Sequence, residues 1–129
     1  MFVERLSLEQ QNVLITLSTG LISVDGVIDK REKALIESIK IQCHSEAKNI
    51  EFEYSNLEKL FESTESKVAL LLELIGLAHA DHEYHKEEQS FIKEVATSLL
   101  ISEELQGDME NWVTRQMLLV KEANSFMEI

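Results

Sequence analysis

The sequence contains no proline, only four glycines and a single cysteine among its 129 residues. β-Sandwich and β-barrel folds need frequent turn residues. The scarcity of proline and glycine therefore favours a fold of long helices. Cys43 cannot form an internal disulfide and is interpreted as a small apolar residue in a reducing compartment. At this length the chain is expected to form one domain, residues 1–129, that buries a core without covalent cross-links.

Basic residues and long hydrophobic runs are also scarce. The chain has 12 Lys and Arg against 24 Asp and Glu, a net charge of −12. Such a surface repels phosphate backbones, which argues against nucleic acid, and attracts cations or a basic patch on a partner protein. The most apolar segment, residues 68–80, contains Glu73 and is shorter than the roughly 20 residues that a membrane span requires. With no basic-then-apolar leader at the N-terminus, we expect a cytoplasmic protein without a membrane span.

Recognisable catalytic motifs are missing as well. The sequence has no phosphate-binding glycine loop and no nucleophile elbow. The segment His82-Glu83-Tyr84-His85 has one residue too few for the zinc-protease motif HExxH, and no Glu-x-x-His of the di-iron type occurs. We therefore expect a protein that is not an enzyme.

An internal repeat is the main feature that is present. Residues 24–32 and 80–88 are altered copies of one another, fifty-six positions apart. Without gaps, residues 12–39 match residues 68–95 identically at seven positions: Leu14/Leu70, Gly20/Gly76, Leu21/Leu77, Asp25/Asp81, Lys30/Lys86, Glu32/Glu88 and Ile36/Ile92. This predicts a helix–acidic loop–helix unit that occurs twice, at about 8–44 and 64–100, followed by a C-terminal helix at about 102–125.

Apolar spacing and capping residues predict the individual helices. Ser7 with Gln10 and Asp29 with Glu32 are capping-box pairs; Ser63 or Thr64, Ser55 and Ser102 are further candidate caps. Residues 65–80 are apolar on nearly every side, so this helix should be surrounded by the others. Residues 45–54 alternate like a strand but have no partner strand, which favours a loop. In the last helix, one row of side chains should face the core. It is formed by Leu105, Met109, Trp112, Val113, Gln116 and Val120. The predicted fold is an all-α compact bundle of about seven helices with two pseudo-symmetric repeats.

The first acidic loop follows the second half of a calcium-binding EF-hand loop, with Gly26 and Glu32 at the required spacing. The ligands of the first half are missing, because Leu21 and Ser23 occupy their positions. Helix capping alone explains Asp29, Glu32 and Glu88. Capping of a following helix does not explain Asp25 and Asp81, since each lies at the negative end of the preceding helix.

Three of the four histidines, His79, His82 and His85, lie in or beside the second loop. Imidazoles are common ligands of zinc, nickel and copper, and Asp81 and Glu83 lie between them. The alternative is a solvated loop that is rich in histidine.

The sequence resembles the tellurite-resistance TerB family. The resemblance rests on a repeated pattern: a helix that ends in Ala/Val-Asp, then a short turn, an acid and a second helix. The sequence is also similar to the N-terminal region of DjlA-type membrane co-chaperones. The resemblance covers roughly residues 8–120. It implies an all-helical fold with internal pseudo-twofold symmetry and a non-enzymatic role in stress, metal or oxyanion resistance. It further implies a divalent-cation site where the loops approach, formed by Asp25, Asp29, Glu32, Asp81 and Glu88.

The second loop departs from the family pattern, with His82 where glycine is usual and His85 where a small cap or an acid is usual. His85 would then join the metal ligands and favour softer metals. The preferred prediction is a TerB-like module that binds a divalent cation or docks an unidentified protein partner through its acidic loop face. The alternatives are a purely structural interaction domain without a ligand and a degenerate EF-hand-like calcium responder. The sequence leaves the oligomeric state open.

Overall fold

The computed structural model describes residues 1–24, 26, 28–80 and 84–128. Within these ranges the chain forms α-helices and 3-10 turns and no strand, so the all-α prediction is confirmed. The α-helices are α1 (Leu8–Ile22), α2 (Lys30–Gln42), α3 (Leu57–Leu60), α4 (Thr64–His79), α5 (Lys86–Ser98) and α6 (Glu103–Met127). About seven helices were predicted; the described residues form six α-helices, with short 3-10 turns at Val3–Arg5 and Tyr54–Asn56.

Helix α4 is the centre of the bundle. It contacts α1, α5, α6 and the N-terminal 3-10 turn. Leu70, Leu71, Leu74 and Ile75 are fully buried, because this helix is apolar around most of its circumference. The sequence prediction of a surrounded central helix is therefore confirmed.

Three of the predicted serine caps are present. Ser7 Oγ accepts a hydrogen bond from the Gln10 backbone N–H at 3.2 Å, and the Gln10 side chain accepts one from Ser7 N–H at 3.0 Å. Ser63 and Ser102 each accept a hydrogen bond from the backbone N–H three residues later, at 3.1 Å. Each bond satisfies one of the N–H groups that a helix start leaves without a partner in the helix.

The predicted Ser55 cap is wrong. A 3-10 turn occupies Tyr54–Asn56, so α3 begins only at Leu57 and its N-cap residue is Asn56. Ser55 Oγ instead donates a hydrogen bond to Glu53 Oε2 at 3.5 Å. The error arose because a 3-10 turn and an α-helix start have similar local sequences.

Most of the segment predicted to be a loop, residues 45–54, is irregular, and polar side chains of α1 hold it. Lys48 N–H donates to Asn12 Oδ1 at 2.9 Å, and Ile50 N–H donates to Thr16 Oγ1 at 2.9 Å. These bonds satisfy backbone groups that a partner strand would otherwise bind.

The starts of the helices follow the spacing of the sequence repeat. Helices α1 and α4 begin fifty-six residues apart, and so do α2 and α5. Gly20 of α1 lies against α5, where an added Cβ would be 3.2 Å from Phe91 Cζ. A Cβ added at Gly76, the matching position of the repeat, would have no neighbour within 4 Å. The superposition of the two repeat units stays a prediction.

Helix α6 is twenty-five residues long, and only Met109 and Val113 are buried along it. Trp112 packs against Phe2, with ring centroids 5.8 Å apart. The predicted inward position of Val120 is wrong: this residue is 56% exposed, because α6 continues past the helices that cover its first half. Among the helices in the described ranges, none is both long and apolar enough to cross a membrane.

Candidate functional site

The first loop begins where α1 ends. Ser23 Oγ donates a hydrogen bond to Thr19 O at 2.6 Å, in the last turn of the helix. Gly26 has φ +88° and donates its N–H to Ser23 O at 2.9 Å. This left-handed conformation favours glycine, and it turns the chain towards the start of α2.

The start of α2 is a complete capping box. Asp29 Oδ1 accepts a hydrogen bond from Glu32 N–H at 2.8 Å, and Glu32 Oε1 accepts one from Asp29 N–H at 3.4 Å. Asp29 is exposed, whereas Glu32 is partly buried. The observed geometry therefore assigns the Asp29 carboxylate to helix capping and fixes the position of Glu32.

The second loop ends in a related arrangement. Glu88 Oε1 accepts a hydrogen bond from His85 N–H at 3.1 Å, just before α5. Glu88 is only 6% exposed, while His85 is exposed. A carboxylate is seldom buried to this extent without partners. The loop thus places an acidic group inside the protein and an imidazole at its surface.

The ends of the two loops lie side by side. Arg31, in the first turn of α2, donates a hydrogen bond from Nη2 to Ala80 O at the end of α4, at 3.5 Å. A small cavity of about 40 Å³ lies between the loops. It is lined by Leu21, Ile22, Val24, Glu32, His85, Glu87 and Glu88. This volume has room for about one water molecule or one ion.

The structure brings together three of the six predicted ligands, since Glu32, His85 and Glu88 all line this cavity. Asp29 does not line it. Asp25 and Asp81, together with His82, lie outside the described residues. Within the described ranges, no three His, Cys, Asp or Glu side chains form a group that could hold a metal ion. The sequence analysis missed Glu87, which no spacing rule distinguishes from an ordinary surface acid.

A second polar cluster connects the end of the second loop to α6. Tyr84 Oη donates a hydrogen bond to Glu110 Oε1 at 2.7 Å, and Glu110 Oε2 is 3.4 Å from His79 Nε2. The His79 and Tyr84 rings lie 4.3 Å apart. Burial raises the pKa of the Tyr84 hydroxyl far above its usual value, and the hydrogen bond to Glu110 adds to the shift. Tyr84 therefore remains a donor at physiological pH.

The sequence analysis also missed Glu110, and the signal that could have found it is in the repeat. Tyr84 matches Ile28 of the first copy, so one unit has a hydroxyl where the other has only apolar atoms. A tyrosine that replaces an aliphatic residue at a partly buried position needs a hydrogen-bond partner.

One protein family model matches the chain. The family model described as tellurite resistance protein TerB matches residues 26–110. The chain belongs to the TerB family. The match includes the cavity-lining residues Glu32, His85, Glu87 and Glu88 and ends at Glu110. All of α1 and residues 111–127 of α6 lie outside the part that matches TerB. No curated protein and no solved structure matches the chain significantly.

Proposed function

We propose that this TerB-family chain is a non-enzymatic cytoplasmic module that binds one divalent cation between its two loops. The observation that supports the proposal is the shared cavity: Glu32 comes from one repeat, whereas His85 and Glu88 come from the other. Asp25 and Asp81 would complete the ligand set. Asp29 would contribute through the capping box that holds Glu32 in place. We place the module in stress, tellurite or metal resistance on the basis of its family.

The chemistry of the lining residues favours some cations over others. Calcium, magnesium and manganese prefer oxygen ligands, whereas zinc, nickel and copper readily accept imidazole nitrogen. His85 at the cavity therefore favours zinc over calcium and manganese. The net charge of −12 raises the local concentration of any cation near the surface.

The test is a titration of the metal-free protein with calcium, manganese and zinc, followed by thermal unfolding. A cation that binds only the folded state raises the melting temperature. The variant Asp25→Asn/Asp81→Asn should lose this rise. Without metal, each substitution should stabilise the protein by about 0.3–1 kcal/mol, because a carboxylate at the negative end of a helix dipole is removed.

A matched control removes two exposed acids from α6, with Glu104→Gln/Asp108→Asn. This variant has the same net charge as the double loop variant, and it should keep the full response to metal. Equal responses of the wild type and both variants would contradict the proposal, since the loop acids would then be ordinary surface charge.

The second candidate function is protein docking through the acidic loop face without a cation. It is favoured by the observation that Asp29, Glu32 and Glu88 already accept hydrogen bonds from backbone N–H groups at helix starts. If no divalent cation changes the melting temperature of the wild type, this interpretation replaces the cation site.

A further inference from the structure

Residues 50–54, here the edge segment, keep the alternation of a β-strand although no strand pairs with them in the described part of the chain. Ile50, Phe52 and Tyr54 are partly buried, whereas Glu51 and Glu53 are exposed. Glu53 has extended dihedral angles, φ −106° and ψ 141°. Side chains of an extended chain point alternately to opposite faces. The edge segment therefore has apolar side chains on its inner face and acids on its outer face.

The backbone of the edge segment is bound to α1 on one side. Ile50 N–H donates a hydrogen bond to Thr16 Oγ1 at 2.9 Å, and Ile50 O lies 3.3 Å from the same hydroxyl. In an extended chain the N–H and C=O groups of neighbouring residues point to opposite sides, so those of Glu51 face away from α1. The N–H groups of Glu51, Phe52 and Glu53 make no hydrogen bond to any described residue. An edge of this kind can pair with the backbone of another chain.

A groove of about 740 Å³ lies beside the edge segment. Leu17 of α1 and Phe91 of α5 line it. The rings of Phe52 and Tyr54, which stack with their centroids 5.9 Å apart, line it as well. Ligand sites have volumes in this range, and apolar walls of this kind suit apolar side chains.

The charges along the edge segment indicate which occupant fits. Glu51 and Glu53 line the groove, and none of its described lining residues is basic. Within the described chain neither carboxylate forms an ion pair, and Glu53 accepts only a hydrogen bond of 3.5 Å from Ser55. An adjoining cavity is lined by Glu9 and Lys59, whose charges cancel. Opposite charges on neighbouring strands stabilise the pair, whereas like charges destabilise it. A second copy of this acidic segment is therefore disfavoured, and basic side chains are favoured.

We propose that the edge segment binds an extended peptide segment of a partner protein in which basic residues alternate with apolar ones. The backbone of the peptide pairs with that of residues 51–53. Its basic side chains lie opposite Glu51 and Glu53, and its apolar side chains enter the groove. Five residues at 3.3 Å each cover about 17 Å of the peptide. This surface shares no lining residue with the cavity between the loops, so the inference goes beyond the proposed cation site.

The test is isothermal titration calorimetry of the full chain with the peptide acetyl-Lys-Val-Lys-Val-Lys-amide. The peptide is used at up to about 1 mM, so that complexes with millimolar dissociation constants are detected. We expect this peptide to bind. The peptide acetyl-Lys-Lys-Lys-Val-Val-amide has the same charge and composition without the alternation, and it should bind more weakly.

Two outcomes of this comparison would contradict the proposal. Equal affinity for both peptides would mean that attraction to an acidic surface explains the binding. If the alternating peptide does not bind, Glu51 and Glu53 only protect an exposed edge from pairing with other chains.

Pairing of the backbones has a separate readout. The alternating peptide with every amide N-methylated keeps its lysine charges but cannot donate backbone hydrogen bonds, so it should lose binding. In the complex with the unmodified peptide, the amide hydrogens of Glu51 and Glu53 should exchange more slowly with solvent. The amide of Ile50 should change little, because it is already bonded to Thr16. Unchanged exchange at Glu51 and Glu53, or equal affinity for the methylated peptide, would overturn the proposal.

A pair of variants separates this surface from the net charge. Glu51→Gln/Glu53→Gln should weaken binding of the alternating peptide by roughly 2- to 30-fold, because two cross-strand pairs of opposite charge are lost. Both side chains are exposed, so the melting temperature should stay the same. The control Glu104→Gln/Asp108→Asn on α6 has the same net charge and should bind the peptide like the wild type. Equal weakening in both variants would overturn the proposal.

Discussion

Ser18 is a buried hydroxyl inside α1. It is fully buried, and within the described part of the chain its Oγ has no hydrogen-bond partner. A buried polar atom without a partner costs about 1–3 kcal/mol. The substitution Ser18→Ala should therefore leave the free energy of unfolding unchanged or raise it by about 1 kcal/mol, as measured by urea unfolding.

Ser66 of α4 is the matched control for Ser18. It is also buried, but its Oγ donates a hydrogen bond to Ser63 O at 2.9 Å. The substitution Ser66→Ala should lower the free energy of unfolding by about 1 kcal/mol, because a satisfied bond is lost. Similar losses in both variants would show that Ser18 has a partner in the folded protein.

Cys43 follows the last residue of α2 and is partly buried. Burial raises the pKa of its thiol above the ordinary 9.0, and the negative charge of Glu73 raises it further. The thiol therefore contributes to stability below about pH 9, and that contribution is lost as the pH rises through the higher pKa of the folded state. We expect slow reaction with a disulfide reagent at pH 8, because the thiolate is the reactive form.

Two comparisons check the behaviour of Cys43. The same reaction in concentrated urea should be faster, since unfolding removes both causes of the shift. The variant Glu73→Gln should react faster than the wild type while folded, because it removes the charge and keeps an acceptor for Phe2 N–H. Equal rates for the folded and unfolded protein would contradict the shift.

At the scale of the elements, Tyr84 connects the second loop to α6. Hydrogen bonds to charged groups contribute about 1.5–3 kcal/mol, and partial exposure reduces this value. Tyr84→Phe should lower the free energy of unfolding by about 1–2 kcal/mol. Tyr54→Phe is the control: Tyr54 stacks on Phe52 and its hydroxyl has no hydrogen bond in the described part of the structure. A double-mutant cycle with Glu110→Gln should attribute the loss to the Tyr84–Glu110 bond.

Helix boundaries could be predicted because their signals are local. Ser7, Asp29 and Ser102 each lie within three residues of the N–H group that they cap, so the sequence alone contains both partners. The Tyr84–Glu110 bond joins residues twenty-six positions apart in different elements, and no periodic pattern connects them.

Val120 shows a different reason for failure. Its spacing from Val113 and Gln116 fits the predicted row, but burial also requires a neighbouring element, and α6 extends past the helices that cover its first half. For the site, the TerB resemblance implied that the two loops approach each other, and the structure places Glu32 of one repeat and Glu88 of the other at one cavity. The spacing could not separate Asp29, which caps α2, from Glu32, which lines the cavity, because both fit the same motif.

At the scale of the whole molecule, the excess of acids opposes the compact state. With 24 acidic and 12 basic side chains, the folded protein repels itself more strongly than the expanded chain does. Sodium chloride at about 0.15 M reduces the Debye length to roughly 8 Å and should raise the melting temperature by a few degrees relative to a low-salt buffer. A falling melting temperature would mean that attractive ion pairs dominate.

The two glycines that match in the repeat, Gly20 and Gly76, experience unequal surroundings, and this has an evolutionary consequence. Selection at Gly20 acts through the fold, because a methyl group there would press against the Phe91 ring. Selection at Gly76 has no such steric origin, since the space beside it is open. If the repeat arose by duplication, the two glycine positions would thus have evolved under different constraints. A library of random variants sorted for folding should retain fewer residue types at position 20 than at position 76.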